Sequence, residues 1–243
     1  MVMVVSGGYM YRSVNYGVNW AQVSNISTPQ NWSTVSLSAN GAYCLANGNY
    51  TTHNLYISSN FNTTTPTFAQ VSVYTNMSTN VSKFNSVSET GQNMVLVNYG
   101  ITNGIAISNN YGTSFTKLTW NNIGVTGTGV YYINMTPDSN TVYCCVYNNG
   151  LYKSTNLWSG SPSFTKINSA TFTEQTWNCV AISSDGTYIV ASTDAKTYYS
   201  TNSGATWTLA YTGKIFQSAM SYDGHYFIGI SYNVNQRLLF SNT

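Results

Sequence analysis

The chain has 243 residues, of which only 6% are Asp, Glu, Lys or Arg, against about 25% in an ordinary soluble protein. The net charge is +2 with no basic cluster, which argues against nucleic acid as a partner. Disorder is excluded by 21 Tyr, 9 Phe and 6 Trp, since disordered chains are poor in aromatics. A helical membrane span is excluded by the lack of any run of about 20 apolar residues.

The first residues, Met1 to Ser6, are apolar but too short and too poor in basic groups for a signal peptide. They read as a strand. From there one element recurs. A Ser that opens a polar hairpin stands at Ser13, Ser58, Ser108, Ser154, Ser200 and Ser241. The spacing is roughly 45 residues, the period of a four-stranded repeat. A short apolar or aromatic run precedes each Ser, as in Met10-Tyr11-Arg12 and Leu151-Tyr152-Lys153. A second landmark lies between the hairpins: Ser38 to Gly41, Ser88 to Gly91, Thr136 to Asn140, Ser183 to Gly186 and Ser221 to Gly224. Asn-Gly and Asp-Gly are strong hairpin signals, and the pattern predicts a two-residue turn with both residues at positive φ. The flanks, such as Trp177 to Ile182 and Tyr188 to Ala191, are short and rich in β-branched and aromatic residues, as strands are. No stretch carries a sustained helical period.

One unit is therefore four strands, A to D, with the Asp-Gly type turn between A and B and the Ser hairpin between C and D. Units of this length in series indicate an all-β protein, a β-propeller of four-stranded blades. The expected organisation is a single propeller domain over 1–243, with repeat units near 1–24, 32–72, 83–119, 130–168, 177–210 and 215–243. The first unit lacks strand A and the last lacks strand D. The total is about 22 strands, between the 20 of five blades and the 24 of six. Six blades with incomplete seam blades are expected, with five as the alternative. Unpaired edges at such a seam invite pairing with another chain. The aromatics that open strand D (Trp20, Phe68, Phe115, Phe164 and Trp207) are the expected wedges between blades.

Three hairpins share one spacing: Ser13, Asn15, Gly17 and Trp20; Ser108, Asn110, Gly112 and Phe115; Ser200, Asn202, Gly204 and Trp207. The hairpins from Ser58 to Phe68 and from Ser154 to Phe164 are three residues longer. This pattern resembles the Asp-box, or BNR repeat, of sialidase-like β-propellers, with Asn where the family has Asp. The resemblance spans almost the whole chain and implies the fold. In that family the box is a structural staple, outside the catalytic site. The side-chain oxygen accepts backbone N–H groups within the turn, and Gly supplies positive φ. An active sialidase is not implied. The family needs three arginines for the substrate carboxylate, and this chain has two, Arg12 and Arg237.

Other chemistry is sparse. Of the acids, Glu89, Asp138, Asp185 and Asp223 fall in A–B turns, leaving Glu174 and Asp194. His53 and His225 have no neighbour at ligand spacing. Cys44, Cys144, Cys145 and Cys179 have no zinc or redox spacing and read as buried thiols. Lys117 and Lys166 share a place on strand D, where lysine protects a sheet edge. No catalytic residue, metal site or cofactor is expected. The loops between B and C and between D and the next A hold Tyr50, His53, Tyr74, Tyr99, Trp120, Tyr147 and Tyr211. These form the candidate binding face, since loops on a rigid scaffold carry function. The expected function is a non-enzymatic structural or interaction module that binds a protein partner or itself. A lectin-like glycan-binding propeller is the alternative, and a degenerate glycoside hydrolase comes third. Membrane insertion is not expected. The low charge and the Asn, Tyr and Thr content suit an extracellular or virion-associated protein.

Overall fold

The computed structural model describes residues 1–48, 55–71, 84–97, 104–126, 129–167, 172, 176–231 and 238–242, the last segment by its backbone. Strands dominate. Among the described residues the one helical piece is a single 3-10 turn, Asn121–Ile123. Strands β1 (Val2–Val4), β2 (Ser6–Gly8), β3 (Met10–Arg12) and β4 (Ala21–Gln22) open the chain. β1, β3 and β4 form the first sheet. The second sheet holds β5 (Gln30–Leu37), β6 (Cys44–Gly48), β7 (Leu55–Ser58) and β8 (Ala69–Val71), with β2 added beside β5. The third contains β9 (Asn85–Val87), β10 (Met94–Val97), β11 (Gly104–Ser108) and β12 (Thr116–Thr119). The fourth contains β13 (Val130–Met135), β14 (Val142–Val146), β15 (Gly150–Ser154) and β16 (Thr165–Lys166). The fifth contains β17 (Trp177–Ile182), β18 (Ile189–Thr193), β19 (Lys196–Ser200) and β20 (Thr208–Thr212). The sixth contains β21 (Ile215–Met220), β22 (Tyr226–Ser231) and β23 (Leu238–Asn242). Neighbouring strands are antiparallel and follow chain order, apart from β2.

β2 is the strand the sequence did not announce. Residues 1–6 read as one strand, but the chain changes sheets there. Gly7, at φ +71°, makes the switch, and Ser6 and Gly8 pair with Asn31 and Gln30. The A–B turns also differ from expectation. Ser183 N–H bonds to Tyr188 O at 2.9 Å, and Gly186 N–H bonds to Ser183 O at 3.0 Å. Gly186 has positive φ and Asp185 does not. The same holds for Asn40-Gly41 and Asp223-Gly224. The Asp side chain is committed to capping the turn, so the glycine alone takes the left-handed position.

The chain divides into two compact units, Met1–Thr119 with the first three sheets and Trp120–Thr243 with the last three. In the first unit, Met10, Val23 and Ile26 pack on Trp32, Cys44, Ala46 and Phe61, with Phe68 against them. Leu45, Leu55 and Ile57 pack on Met94, Leu96 and Ala106, with Phe115 against them. In the second unit, Tyr143, Cys145 and Leu151 of the fourth sheet pack on Trp177, Val180, Tyr198 and Trp207 of the fifth. Cys179 and Ala181 of the fifth pack on Ile215 and Phe227 of the sixth, with Val190, Tyr211 and Met220 beside them. A sheet is thus apolar on both faces, and each face needs a neighbouring sheet to cover it.

These clusters define the wedge. The aromatic that opens strand D covers the face of the preceding sheet: Phe68 reaches the first sheet, Phe115 the second and Trp207 the fourth. Trp20 departs from the expectation. It belongs to the first sheet and is only half-buried.

Candidate binding surfaces

The Ser hairpins are built by local hydrogen bonds. Ser13 Oγ donates to Asn15 Oδ1 at 3.0 Å and accepts from Gly17 N–H at 2.8 Å. Asn15 Oδ1 also accepts Asn19 N–H at 2.9 Å, and Trp20 Nε1–H reaches Gly17 O at 3.0 Å. Val18 N–H closes onto Asn15 O at 3.1 Å. Tyr16 and Gly17 between them both have positive φ, 57° and 85°, as a type I′ turn demands. Ser108 to Phe115 and Ser200 to Trp207 repeat the scheme, with Tyr111 and Ser203 at φ 61° and 57°. The longer hairpins keep its centre. Asn60 Oδ1 accepts Thr67 N–H at 2.9 Å, and Asn156 Oδ1 accepts Ser163 N–H at 3.1 Å. In every copy the Asn amide oxygen holds the backbone N–H just before the aromatic. A neutral acceptor is enough for that work.

The ionisable groups are largely taken up by structure. Arg12 donates to the carbonyls of Phe61 (2.9 Å), Thr63 and Thr64 (3.2 Å), and so clamps the hairpin of the second sheet. Arg237 lies outside the described residues. Asp194 pairs with Lys214, and Glu174 lies outside the described residues. Asp185 accepts from the Ser183 hydroxyl at 2.7 Å and from Thr187 N–H and Oγ1 at 2.9 and 2.7 Å. These bonds favour the charged form and lower its pKa to about 2. Asp138 is partly desolvated, but hydrogen bonds from Thr136 and Asn140 prevail and lower its pKa too. All four thiols are free and buried. Burial raises them, Cys179 to about 12, which disfavours the thiolate form. Lys166 Nζ donates to Asn149 Oδ1 at 3.0 Å. His225 N–H caps Asp223 at 3.0 Å.

The Asp185 cap gives a direct test. A depressed carboxyl pKa stabilises the fold above the unfolded value near 3.8, and that contribution disappears as pH falls through about 2. A carboxyl-detected NMR titration is expected to place Asp185 near 2. In Ser183→Ala the midpoint is expected to move back up. An ordinary midpoint in the intact protein would show that the cap does not hold. Solvent exposure keeps the effect on stability small.

Of the expected face, Tyr50, His53, Tyr74 and Tyr99 lie outside the described residues. Trp120 is corrected: it is 4% exposed, and its carbonyl accepts the N–H of Ile123 and of Val125 around the 3-10 turn. It is packing, not an open ligand platform. Tyr147 is half-buried and stacks edge-on against Tyr131 at 5.1 Å. Tyr211 is half-buried against the cluster between the fifth and sixth sheets. Of the described members, Trp120 is buried and Tyr147 and Tyr211 are half-buried.

Bare apolar surface lies elsewhere. Gln217 pairs with Ile230 and Ala219 with Ile228 across β21 and β22. Paired residues share a face, and this one points away from Phe227 and the fifth sheet. It carries Tyr226, 64% exposed, and Ile230, 45% exposed. On the first sheet, Val2 and Val4 pack inward, while Met3 is 40% exposed and Met1 and Val5 are exposed beside it. Separately, a cleft of about 750 Å³ opens between the fifth and sixth sheets. Its described lining includes Tyr188, Val190, Tyr199, Thr208, Met220 and Phe227, and no charged side chain. Among the described residues no cluster of His, Cys, Asp and Glu is placed to hold a metal ion. Sequence reading missed the cleft because it joins residues from different strands.

No family model and no curated protein sequence matches the chain. Solved structures do. An ancestral GH74 enzyme superposes with a TM-score of 0.69 at 17% identity, covering 99% of this chain and 36% of that one. The GH74 enzyme of Niastella koreensis gives 0.70 at 18%, covering 96% and 39%. A chain of the nidogen/laminin complex gives 0.67 at 9%, covering 99% and 88%. The chain spans under two fifths of the length of either GH74 enzyme. At such identities the likeness is one of architecture. The chain has the fold of a β-propeller, built from four-stranded antiparallel blades.

Proposed function

We propose that this chain is a non-catalytic propeller scaffold that works by binding protein, in the first place other copies of itself. The Ser-x-Asn-x-Gly hairpins serve it as Asp-box-like staples in which Asn does the work of Asp. The observation that carries the reading is the pair of bare faces on the first and sixth sheets. Met3 on the first sheet and Tyr226 and Ile230 on the sixth meet solvent. Exposed apolar faces of this kind mark association sites. The two faces differ, so the contact is heterologous and joins the first sheet of one copy to the sixth sheet of the next. The nidogen/laminin neighbour offers a precedent for a propeller in a protein complex. The fixed roles of Arg12, Asp138, Asp185 and Asp194 argue against hydrolysis by carboxylates, which needs two acids facing one bond.

The test uses two single-face variants. The intact chain is expected to show a mass above monomer that rises with concentration in light scattering. Met3→Lys and Ile230→Lys are each expected to be monomeric alone. Mixed in equal amounts they are expected to form a dimer and nothing larger, because one good face remains on each. A strict monomer at about 100 μM, well above typical interface affinities, would overturn self-association. Glycoside turnover abolished by Asp194→Asn would overturn the non-catalytic reading.

A further inference from the structure

Four of the A strands carry the same irregularity. Each has one extra residue opposite its B strand: Ser33 in β5, Tyr131 in β13, Asn178 in β17 and Phe216 in β21. A bulge of this kind bends the strand and re-aims the extra side chain. In the fourth and fifth sheets it is aimed at the first residue past strand B. Tyr131 meets Tyr147, one residue beyond β14, with ring centroids 5.1 Å apart. Asn178 Nδ2–H donates to Oδ1 of Asp194, one residue beyond β18, at 3.2 Å. The two pairs are neighbours, because Thr176 Oγ1 donates to Oδ1 of Asn148, and these residues adjoin β17 and Tyr147. Lys214, one residue before β21, completes the group by pairing with Asp194 and standing over the Phe216 ring. The fifth sheet has the fourth and the sixth packed on its two faces, so the Asn178 and Asp194 pair does not owe its opening to an uncovered sheet face. The bulge recurs while the pair it makes changes from two tyrosines to an amide and a carboxylate. Packing alone would hold an apolar side chain in the core, yet Tyr131 and Asn178 are only half-buried.

We infer that this group is a binding site for a neutral saccharide, with Asn178, Asp194 and Lys214 holding hydroxyl groups and Tyr131 and Tyr147 flanking the ring. The bonds from Asn178 and Lys214 both fall on Asp194 Oδ1, and among the described residues Asp194 Oδ2 and Asn178 Oδ1 have no partner. Asp194 is the open end of its ion pair, at 53% exposure against 25% for Lys214. An ammonium carries several N–H donors, and Lys214 uses one on Asp194. The site therefore presents two acceptor oxygens and a charged donor with no net charge. That set matches adjacent sugar hydroxyls, each of which both donates and accepts, and hydrogen bonds to charged groups are the stronger kind. The tyrosines supply the apolar side. An edge-on pair covers at most one face of either ring, so area remains against which the C–H face of a sugar packs. A sialylated or sulfated sugar would have to compete with Asp194 for Lys214, which favours a neutral one. One carboxylate does not supply the two facing acids of glycoside hydrolysis, so the site adds a ligand and not a reaction. It is a different surface from the faces assigned to self-association and needs no second copy.

The probes are neutral oligosaccharides of glucose, galactose, mannose and N-acetylglucosamine, with sialyllactose as the charged control. Titrated into the full chain, at least one neutral probe is expected to bind saturably and to shift the side-chain amide NMR signals of Asn178. Asp194→Ala is expected to weaken that probe at least about 10-fold, the scale of a lost hydrogen bond to a charged group. Tyr147→Ala is expected to weaken it about 5-fold through lost ring contact. Should Asp194→Ala fail to fold, Asn178→Ala, which keeps the Asp194 and Lys214 pair, reads the same site. Three results overturn the inference. One is no saturable binding by any neutral probe at about 10 mM, well above a millimolar dissociation constant. Another is binding of sialyllactose alone. The third is binding that the Asp194, Asn178 and Tyr147 variants all leave unchanged. Ile230→Lys separates the two proposals. It is expected to abolish self-association and leave saccharide binding intact, so either reading can fail alone.

Discussion

Replacing Trp207 by Ala is expected to destabilise the protein by about 3–5 kcal/mol, the range for removing a buried aromatic side chain. The same change at Trp20 is expected to cost only roughly 1 kcal/mol, as for a partly exposed site. The two tryptophans begin from identical local chemistry. Each indole N–H donates to the hairpin Gly carbonyl at 3.0 Å, and each follows a Ser-x-Asn-x-Gly turn with the same internal bonds. They differ in what lies beneath. Trp207 is 4% exposed and stands within an aromatic group, with ring centroids 5.3 Å from Phe172 and 6.4 Å from Trp177. Phe172 in turn meets Trp177 at 4.6 Å and Tyr198 at 5.3 Å. Losing Trp207 opens a cavity across two sheets. Losing Trp20 removes a ring that is already partly exposed. Urea denaturation of the two variants beside the parent measures both numbers. Equal losses would mean that the hairpin bonds dominate and that the wedge between sheets does little.

The contrast also marks how far the sequence could be read. The turn chemistry was legible because its partners lie close in the chain: Ser13 reaches Asn15 and Gly17, and Ser183 reaches Asp185 and Tyr188. Recurrence then named the four-stranded unit and the propeller. Whatever depends on the neighbouring sheet was not legible. The octets around Trp20 and Trp207 look alike, yet only one ring is covered. Trp120 looked like a loop aromatic open to ligand, because nothing local announces the turn over Ile123 that buries it. The cleft is written in Val190, Tyr199 and Thr208, three positions on three strands that no spacing rule brings together. The change of sheet at Gly7 had a visible cause, a Gly pair after an apolar run. A Gly pair ends a strand as readily as it redirects one.

The candidate site follows the same logic of coverage. A blade in this chain is finished on both faces only when a neighbour supplies an apolar surface and, at its outer half, an aromatic wedge. The second sheet meets both conditions, with the first sheet on one side and Phe115 of the third on the other. Met3 on the first sheet and Tyr226 and Ile230 on the sixth are exposed.

Gly104→Ala is expected to be the most damaging single substitution of a small residue, at about 4–5 kcal/mol or outright failure to fold, the extreme of single-site effects. Gly104 opens β11 and pairs with Thr119 of β12. A Cβ built there lies 1.6 Å from the Leu118 carbonyl oxygen, 2.6 Å from its carbon and 2.9 Å from Thr119 Cα. All three are backbone atoms, so no side-chain rotation relieves the overlap. Either β12 moves away and gives up the Gly104–Thr119 and Ile105–Leu118 pairs, or β11 shifts and disturbs Ile105 and Ala106 in the core. A matched control lies in the long hairpin of the fourth sheet. A Cβ at Gly160 meets nothing within 4 Å, and Gly160→Ala is expected to be neutral or to stabilise by up to about 1 kcal/mol through the unfolded chain. Soluble yield and thermal midpoint of the two variants, measured together, decide the matter. A Gly104→Ala protein as stable as the parent would mean that β11 and β12 do not approach as closely as their backbones indicate.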